Sequence, residues 1–108
     1  MSSAKLWKMI PSNRTQKLNT NENLWIYILS LLKERPIYAW QLQSLIEKRF
    51  GFKPGRITPY RVLYRLEKDD FVKSELKEKR RVYRITEKGK KELELVKSFY
   101  QKILNWLK

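Results

Sequence analysis

Three linked segments constrain this chain most tightly. They are Ile57-Thr58-Pro59-Tyr60-Arg61-Val62-Leu63-Tyr64-Arg65-Leu66-Glu67, the tetrapeptide Lys77-Glu78-Lys79-Arg80, and Thr86-Glu87-Lys88-Gly89. In the first, Val62, Leu63 and Leu66 form one apolar stripe at helical spacing, while Tyr60, Arg61, Tyr64, Arg65 and Lys68 occupy the rest of the surface. Thr58 is expected to cap this helix, with Pro59 at its first position, where a missing N–H costs nothing. Asp69-Asp70 ends it. On either side of the basic tetrapeptide, Phe71–Leu76 and Arg81–Ile85 alternate apolar and polar residues and read as strands, with Phe71, Leu76, Val82, Tyr83 and Ile85 among the inward set. The tetrapeptide itself is the expected four-residue turn of a hairpin.

Two helices are expected before this unit. Residues 22–34 are apolar nearly all round, which implies burial on two sides, the second against another subunit. Asn21 is their expected cap and Pro36 their stop. Tyr38–Phe50 reads as the next helix, with Trp40, Leu42, Leu45, Ile46 and Arg49 recurring at helical spacing and Gly51 after its end. After the hairpin, Thr86 caps a long helix over 87–107. Its Leu93, Val96, Tyr100, Ile103 and Leu107 fall at 3-4-3-4 spacing, a two-heptad seam widened by Leu95, Phe99, Leu104 and Trp106. The order α-α-α-β-β-α gives the fold class: α+β, mostly α, a winged helix-turn-helix with an appended C-terminal dimerisation helix. The expected organisation is a basic arm over 1–21, the winged helix over 22–86 and the dimerisation helix over 87–108.

Charge points the same way. Twenty-five Lys and Arg against 11 acids give a net charge of +14, which favours a polyanionic partner, nucleic acid before an anionic membrane surface. The charge is blocked. Residues 1–21 carry four cations and no acid, 51–66 carry Lys53, Arg56, Arg61 and Arg65 with no acid, and 77–84 carry five cations against Glu78. Residues 67–76 carry two cations and four acids. A merely solvated basic surface would spread its charge more evenly. The longest apolar run, around Leu24–Leu32, is far short of the roughly 20 residues a bilayer demands. The N-terminal segment lacks the pattern of a signal peptide, so a cytoplasmic, nucleoid-associated protein is expected. Few glycines, rare Asn and Gln and many Lys and Glu suggest a thermophilic source.

Without cysteine or histidine, disulfides, zinc fingers, thiol chemistry and imidazole catalysis are excluded. Asp69-Asp70 has no metal-ligand partner nearby, and neither a Gly-rich phosphate loop nor a nucleophile with a base occurs. No enzyme activity, metal or cofactor is expected. The candidate DNA-binding residues are Thr58, Tyr60, Arg61, Tyr64, Arg65 and Lys68 on the third helix and Lys79, Arg80 and Arg81 on the wing. Arginine can pair two bonds with a guanine edge, and Tyr and Thr hydroxyls suit phosphate or base contacts. Wing arginines suit phosphate or the minor groove. Candidate dimer residues are Trp25, Ile28, Leu93, Val96, Phe99, Tyr100, Ile103, Trp106 and Leu107. Trp25, Phe99 and Trp106 could instead form a ligand cage.

Over residues 24–107 the sequence resembles the short-form members of the PadR family of transcriptional regulators. Pro36-Ile37-Tyr38-Ala39-Trp40-Gln41-Leu42 is similar to the family's G-P-x-Y-G-Y-E-L segment, with Arg35, Ala39 and Trp40 as departures. Ile57–Glu67 is similar to its recognition helix, and Tyr83-Arg84-Ile85-Thr86-Glu87-Lys88-Gly89 to its closing Y-x-L-T-x-x-G. The resemblance implies a homodimer joined through the last helix and the first, binding double-stranded DNA at a pseudo-palindromic operator, usually as a repressor. It also implies a small aromatic or hydrophobic effector at the dimer interface. An architectural chromatin protein with little sequence preference is the alternative. The ratio of specific to non-specific affinity separates the two.

Overall fold

The computed structural model describes residues 23–108; the basic arm, with Asn21, lies outside the described residues. The elements are α1 (Leu24–Glu34), β1 (Ile37–Tyr38), a 3-10 turn (Ala39–Gln41), α2 (Leu42–Phe50), α3 (Thr58–Lys68), β2 (Val72–Lys77), β3 (Arg80–Ile85) and α4 (Glu87–Trp106). The strands form one antiparallel sheet in the order β1-β3-β2. This is the expected winged-helix order with one added strand.

Helix α1 is the hub. It buries Leu24, Ile28, Leu29, Leu31 and Leu32 and packs against α3, α4 and β3 of its own chain. Its apolar breadth therefore has an internal cause. Ile28, expected at the subunit interface, is fully buried in this core, as is Leu93 of α4; neither has surface left for a partner. Tyr27 closes the flank facing α2, with its ring 4.7 Å from Phe50 and 5.1 Å from Phe52, both edge-on.

The segment expected to be one helix over 38–50 is divided. Pro36 pushes Arg35 into extended backbone (φ −170°, ψ 159°), and the chain continues extended long enough for Ile37 and Tyr38 to pair with Tyr83 and Val82. The Tyr38 N–H then donates to Gln41 Oε1 at 3.2 Å, closing the 3-10 turn that leads into α2. Trp40, counted in that helix's apolar set, is 54% exposed. Gly51 ends α2 as expected, in left-handed backbone (φ 81°), with its N–H on the Glu47 carbonyl. Helix α3 starts one residue earlier than expected. Ile57 caps it, its carbonyl accepting from the Tyr60 and Arg61 N–H groups, so Thr58 is the first helical residue and its side chain caps nothing.

The hairpin turn is two residues long, not four. Lys77 pairs with Arg80, and Glu78 and Lys79 both take positive φ, 50° and 68°, as a type I′ turn demands. Tyr83 is buried, and Val72 is fully buried in its place in β2. Leu76 is not inward: it shares a face with Val72 and Ser74, but the core ends before the wing tip, leaving it 66% exposed.

Thr86 caps α4 as the sequence predicts. Its Oγ1 accepts the Gly89 N–H at 3.0 Å and lies 2.7 Å from the Asp70 carbonyl oxygen and 3.0 Å from that of Phe71, where its proton is donated. A Cβ on Gly89 would collide with the Phe71 carbonyl oxygen and crowd Ile85. Helix α4 runs antiparallel to α1, as the contacts Lys33–Glu94 (3.1 Å) and Asn23–Tyr100 (3.5 Å) show. Past Tyr100, α4 extends beyond the first residue of α1.

Two expected outcomes follow from this packing. Gly89→Ala should lower the unfolding free energy by about 1–3 kcal/mol, because backbone rather than a mobile side chain fills the space; chemical denaturation with an unchanged m-value checks it. Burial raises the pKa of Tyr27 and Tyr83 above the ordinary 10.0, with Tyr100 adding to the effect at Tyr27 and Glu67 at Tyr83. The unfolded chain therefore ionises first. The stability these two hydroxyls contribute should be intact below pH 10 and lost as pH rises through their folded values. Replacing both by Phe should flatten that alkaline limb in denaturation curves.

Candidate nucleic-acid interface

Helix α3 presents its polar side to solvent because Pro59, Leu63 and Leu66 are buried on the other. Tyr60, Arg61, Tyr64, Arg65 and Lys68 line one shallow surface depression. Tyr60 is 48% and Tyr64 71% exposed, so the two rings lie open beside the cations. Thr58 is half-buried at the start of the helix. The one carboxylate within α3, Glu67, turns away from this face and accepts the Ser74 N–H at 3.0 Å and the Ser74 hydroxyl at 2.7 Å.

The wing brings five exposed cations beyond the body: Lys77, Lys79, Arg80, Arg81 and Arg84. Two arginines are held in place. The Arg80 guanidinium lies over the Trp40 ring, 5.5 Å from its centroid, and Arg81 Nη1 donates to Ser74 Oγ at 3.1 Å. Arg84 lies 4.0 Å from Glu75. Among the described residues no carboxylate is within ion-pair distance of Arg61, Arg65, Lys68, Lys79, Arg80 or Arg81. Elsewhere acids and bases pair: Glu34 with Arg49 at 2.6 Å and Glu94 with Lys33 at 3.1 Å, and these cations hold both carboxyls below the usual glutamate range. The polar surface of α3 and the wing tip is thus left with uncompensated positive charge.

Trp40, Glu67 and Ser74 are the residues that reading the sequence missed here. Each acts through a partner on another element, and no periodicity signals such a contact. Ile57, 64% exposed just ahead of α3, is a further exposed apolar group.

Of the residues expected at a dimer interface, Trp25, Val96, Tyr100 and Ile103 are half-buried, while Phe99, Trp106 and Leu107 are 56%, 73% and 76% exposed. Leu95 and Leu104 are also exposed. Between α1, α3 and α4 a cavity of about 430 Å³ is lined by Trp25, Val62, Leu66 and Phe71, with Arg65, Asp69 and Glu92 at its polar side. Among the described residues no acidic cluster is placed to hold a metal ion, and no helix is long and apolar enough to cross a membrane.

The family model described as "Transcriptional regulator PadR-like family" matches residues 28–95. No curated protein gives a significant match. Several solved structures are similar. A transcriptional regulator from Clostridium thermocellum is 25% identical, with a TM-score of 0.74 over 91% of this chain and 94% of that one. A PadR-like transcriptional regulator from Bacillus cereus is 26% identical, with a TM-score of 0.70 over 85% and 92%. F93 from STIV, a winged-helix DNA-binding protein, is 27% identical, with a TM-score of 0.67 over 78% and 92%. With the family model matching well over half of the chain, the chain belongs to the PadR-like family, whose members are transcription regulators and not enzymes.

Proposed function

We propose that this protein is a sequence-specific double-stranded-DNA-binding regulator that acts as a homodimer on a pseudo-palindromic operator and represses transcription. The observation that carries the reading is the set Tyr60, Arg61, Tyr64, Arg65 and Lys68. It is exposed on one helix face, and among the described residues no acid pairs with its cations, beside a wing whose arginines are already oriented. Arginines on a helix of this size suit guanine edges in the major groove. Thr58 and the tyrosine hydroxyls suit phosphate or base contacts at its margins, and Lys79, Arg80 and Arg81 suit backbone or minor groove.

One copy of α3 spans only a few base pairs, so a second copy is needed for a site of useful length. The apolar surface of α4 beyond Tyr100 supports the pairing: Leu104, Trp106 and Leu107 are exposed there, with Leu95 and Phe99 before them. In a two-fold dimer the paired helices would set the recognition helices about one DNA turn apart, near 34 Å. A small aromatic effector belongs at the dimer interface in this reading, and the cavity beside Trp25 gives a second candidate place, lined by Phe71 and by Arg65 and Leu66 of α3. Filling it would act directly on the recognition helix. The architectural reading, DNA coating with little sequence preference, is the alternative.

Selection of bound fragments from random duplex DNA should enrich an inverted repeat with half-site centres about 10 base pairs apart. Uniform coverage with no paired pattern would replace the regulator reading by the architectural one. Sedimentation at micromolar concentration should give a dimer, and Phe99→Glu with Trp106→Glu should give a folded monomer; a monomeric wild-type chain would contradict the proposal. On the selected site, Arg61→Ala or Arg65→Ala should cost about 1–3 kcal/mol and relax preference at particular base pairs. Arg80→Ala with Arg81→Ala should weaken all sequences alike and flatten the salt slope by roughly one unit per lost phosphate contact. Equal losses on selected and random DNA for the helix variants would overturn the division of labour.

A further inference from the structure

We propose that Glu67 and Ser74 are positioning residues for DNA binding: they touch no DNA but aim Arg81, so that α3 and the wing act as one rigid reader. The proposal rests on the DNA-binding reading above and extends it to two residues outside the cationic face.

The geometry starts at the free edge of the sheet. Among the described residues strand β2 is an edge strand, paired only with β3. Lys77 and Arg80 flank the two-residue turn and form a hydrogen-bonded pair. Alternation along an antiparallel ladder then makes Ser74 and Tyr83 a non-bonded pair, so the Ser74 N–H points off the edge. Glu67 Oε2 takes that N–H at 3.0 Å and the Ser74 hydroxyl at 2.7 Å. With its proton committed to Glu67, Ser74 Oγ is left as an acceptor, and Arg81 Nη1 donates to it at 3.1 Å. The result is an ordered chain from guanidinium to hydroxyl to carboxylate.

The hydroxyl spacer matters. A direct Glu67–Arg81 ion pair would neutralise the arginine. Here Arg81 spends one of its five donors on a neutral oxygen and stays exposed. Its charge and remaining donors are free for a phosphate, while the ordering of a long side chain is met before DNA arrives. A purely structural role, covering the exposed N–H of an edge strand, would be indifferent to whether residue 81 carries a guanidinium. That difference makes the proposal testable.

The test is a double-mutant cycle with the full chain on the selected duplex. Ser74→Ala should weaken binding on the order of three- to tenfold in the wild-type background, and by no more than about twofold when Arg81→Ala is already present. Ser74→Thr, which keeps the hydroxyl, should restore wild-type binding. Glu67→Gln, which keeps an acceptor, should bind better than Glu67→Ala; should the alanine variant not fold, the Ser74 cycle stands without it. Equal losses in the two backgrounds, or no loss from Ser74→Ala, would overturn the relay alone. If Arg81→Ala itself changes nothing, the relay falls together with the wing's share of the DNA reading.

Discussion

The Thr86 hydroxyl sits where three elements meet, and the relative placement of α3, the wing and α4 depends on it. Helix α3 ends at Lys68, and two residues on Asp70 takes left-handed backbone (φ 64°) to turn the chain into β2. The carbonyls of Asp70 and Phe71 face Thr86, whose N–H also donates to Phe71 O at 3.1 Å. The same hydroxyl accepts the Gly89 N–H and so satisfies one of the orphan donors in the first turn of α4. One side chain therefore joins the turn after α3, the base of the wing and the start of α4. Only glycine lets α4 come this close to the Phe71 carbonyl. The closing motif Thr86-Glu87-Lys88-Gly89 is a packing requirement, and through it the direction of α4 is tied to that of α3.

From that junction the core is built around α1. Because α4 lies antiparallel to it and Leu93 is its last fully buried residue, the helix divides by burial along its length. Gly89 and Leu93 are buried against the body of the fold. Leu95, Phe99, Leu104 and Trp106 remain open. The seam at 3-4-3-4 spacing is visible in the sequence, but spacing cannot say which turns of it face inward. Ile28 and Leu93 show why: both fit an interface pattern, and both are claimed by α1's own neighbours. Partition between core and interface is a property of three-dimensional packing, which periodicity reports only as a sum.

Helices α1 and α3, the hairpin, the Thr86 cap and Gly51 were legible because local chemistry sets them: apolar stripes, a proline near a helix start, a residue type that tolerates positive φ. Strand β1 was not, since two residues carry no alternation and Ile37 becomes a strand only by pairing with Tyr83. The wing turn is shorter than its sequence suggests for a different reason. Glu78 and Lys79 are poor residues for a type I′ turn, which favours Asn and Gly, yet both adopt positive φ. Charge has been kept at the tip at the expense of local preference, the pattern expected where a surface is used. On the candidate site, the cationic face of α3 could be read directly, whereas the Arg80–Trp40 and Arg81–Ser74–Glu67 contacts needed the fold.

Those contacts change what the charge of +14 means. At physiological salt, charges separated by more than about 8 Å are largely screened, so a sum over the chain decides little. What matters is where positive charge is left without a nearby acid. On the flank of α1, α2 and α4, pairing takes cations out of play: Arg49 against Glu34, Lys33 and Lys97 against Glu94, Lys90 against Glu87. On α3 and the wing tip the reverse holds. The helix's only acid is turned onto β2, and the two tethered arginines are held by a hydroxyl and an aromatic face, neither of which cancels their charge. Order and charge are thus obtained together. A salt bridge would have fixed the same side chains but removed the field that makes them useful to a polyanion.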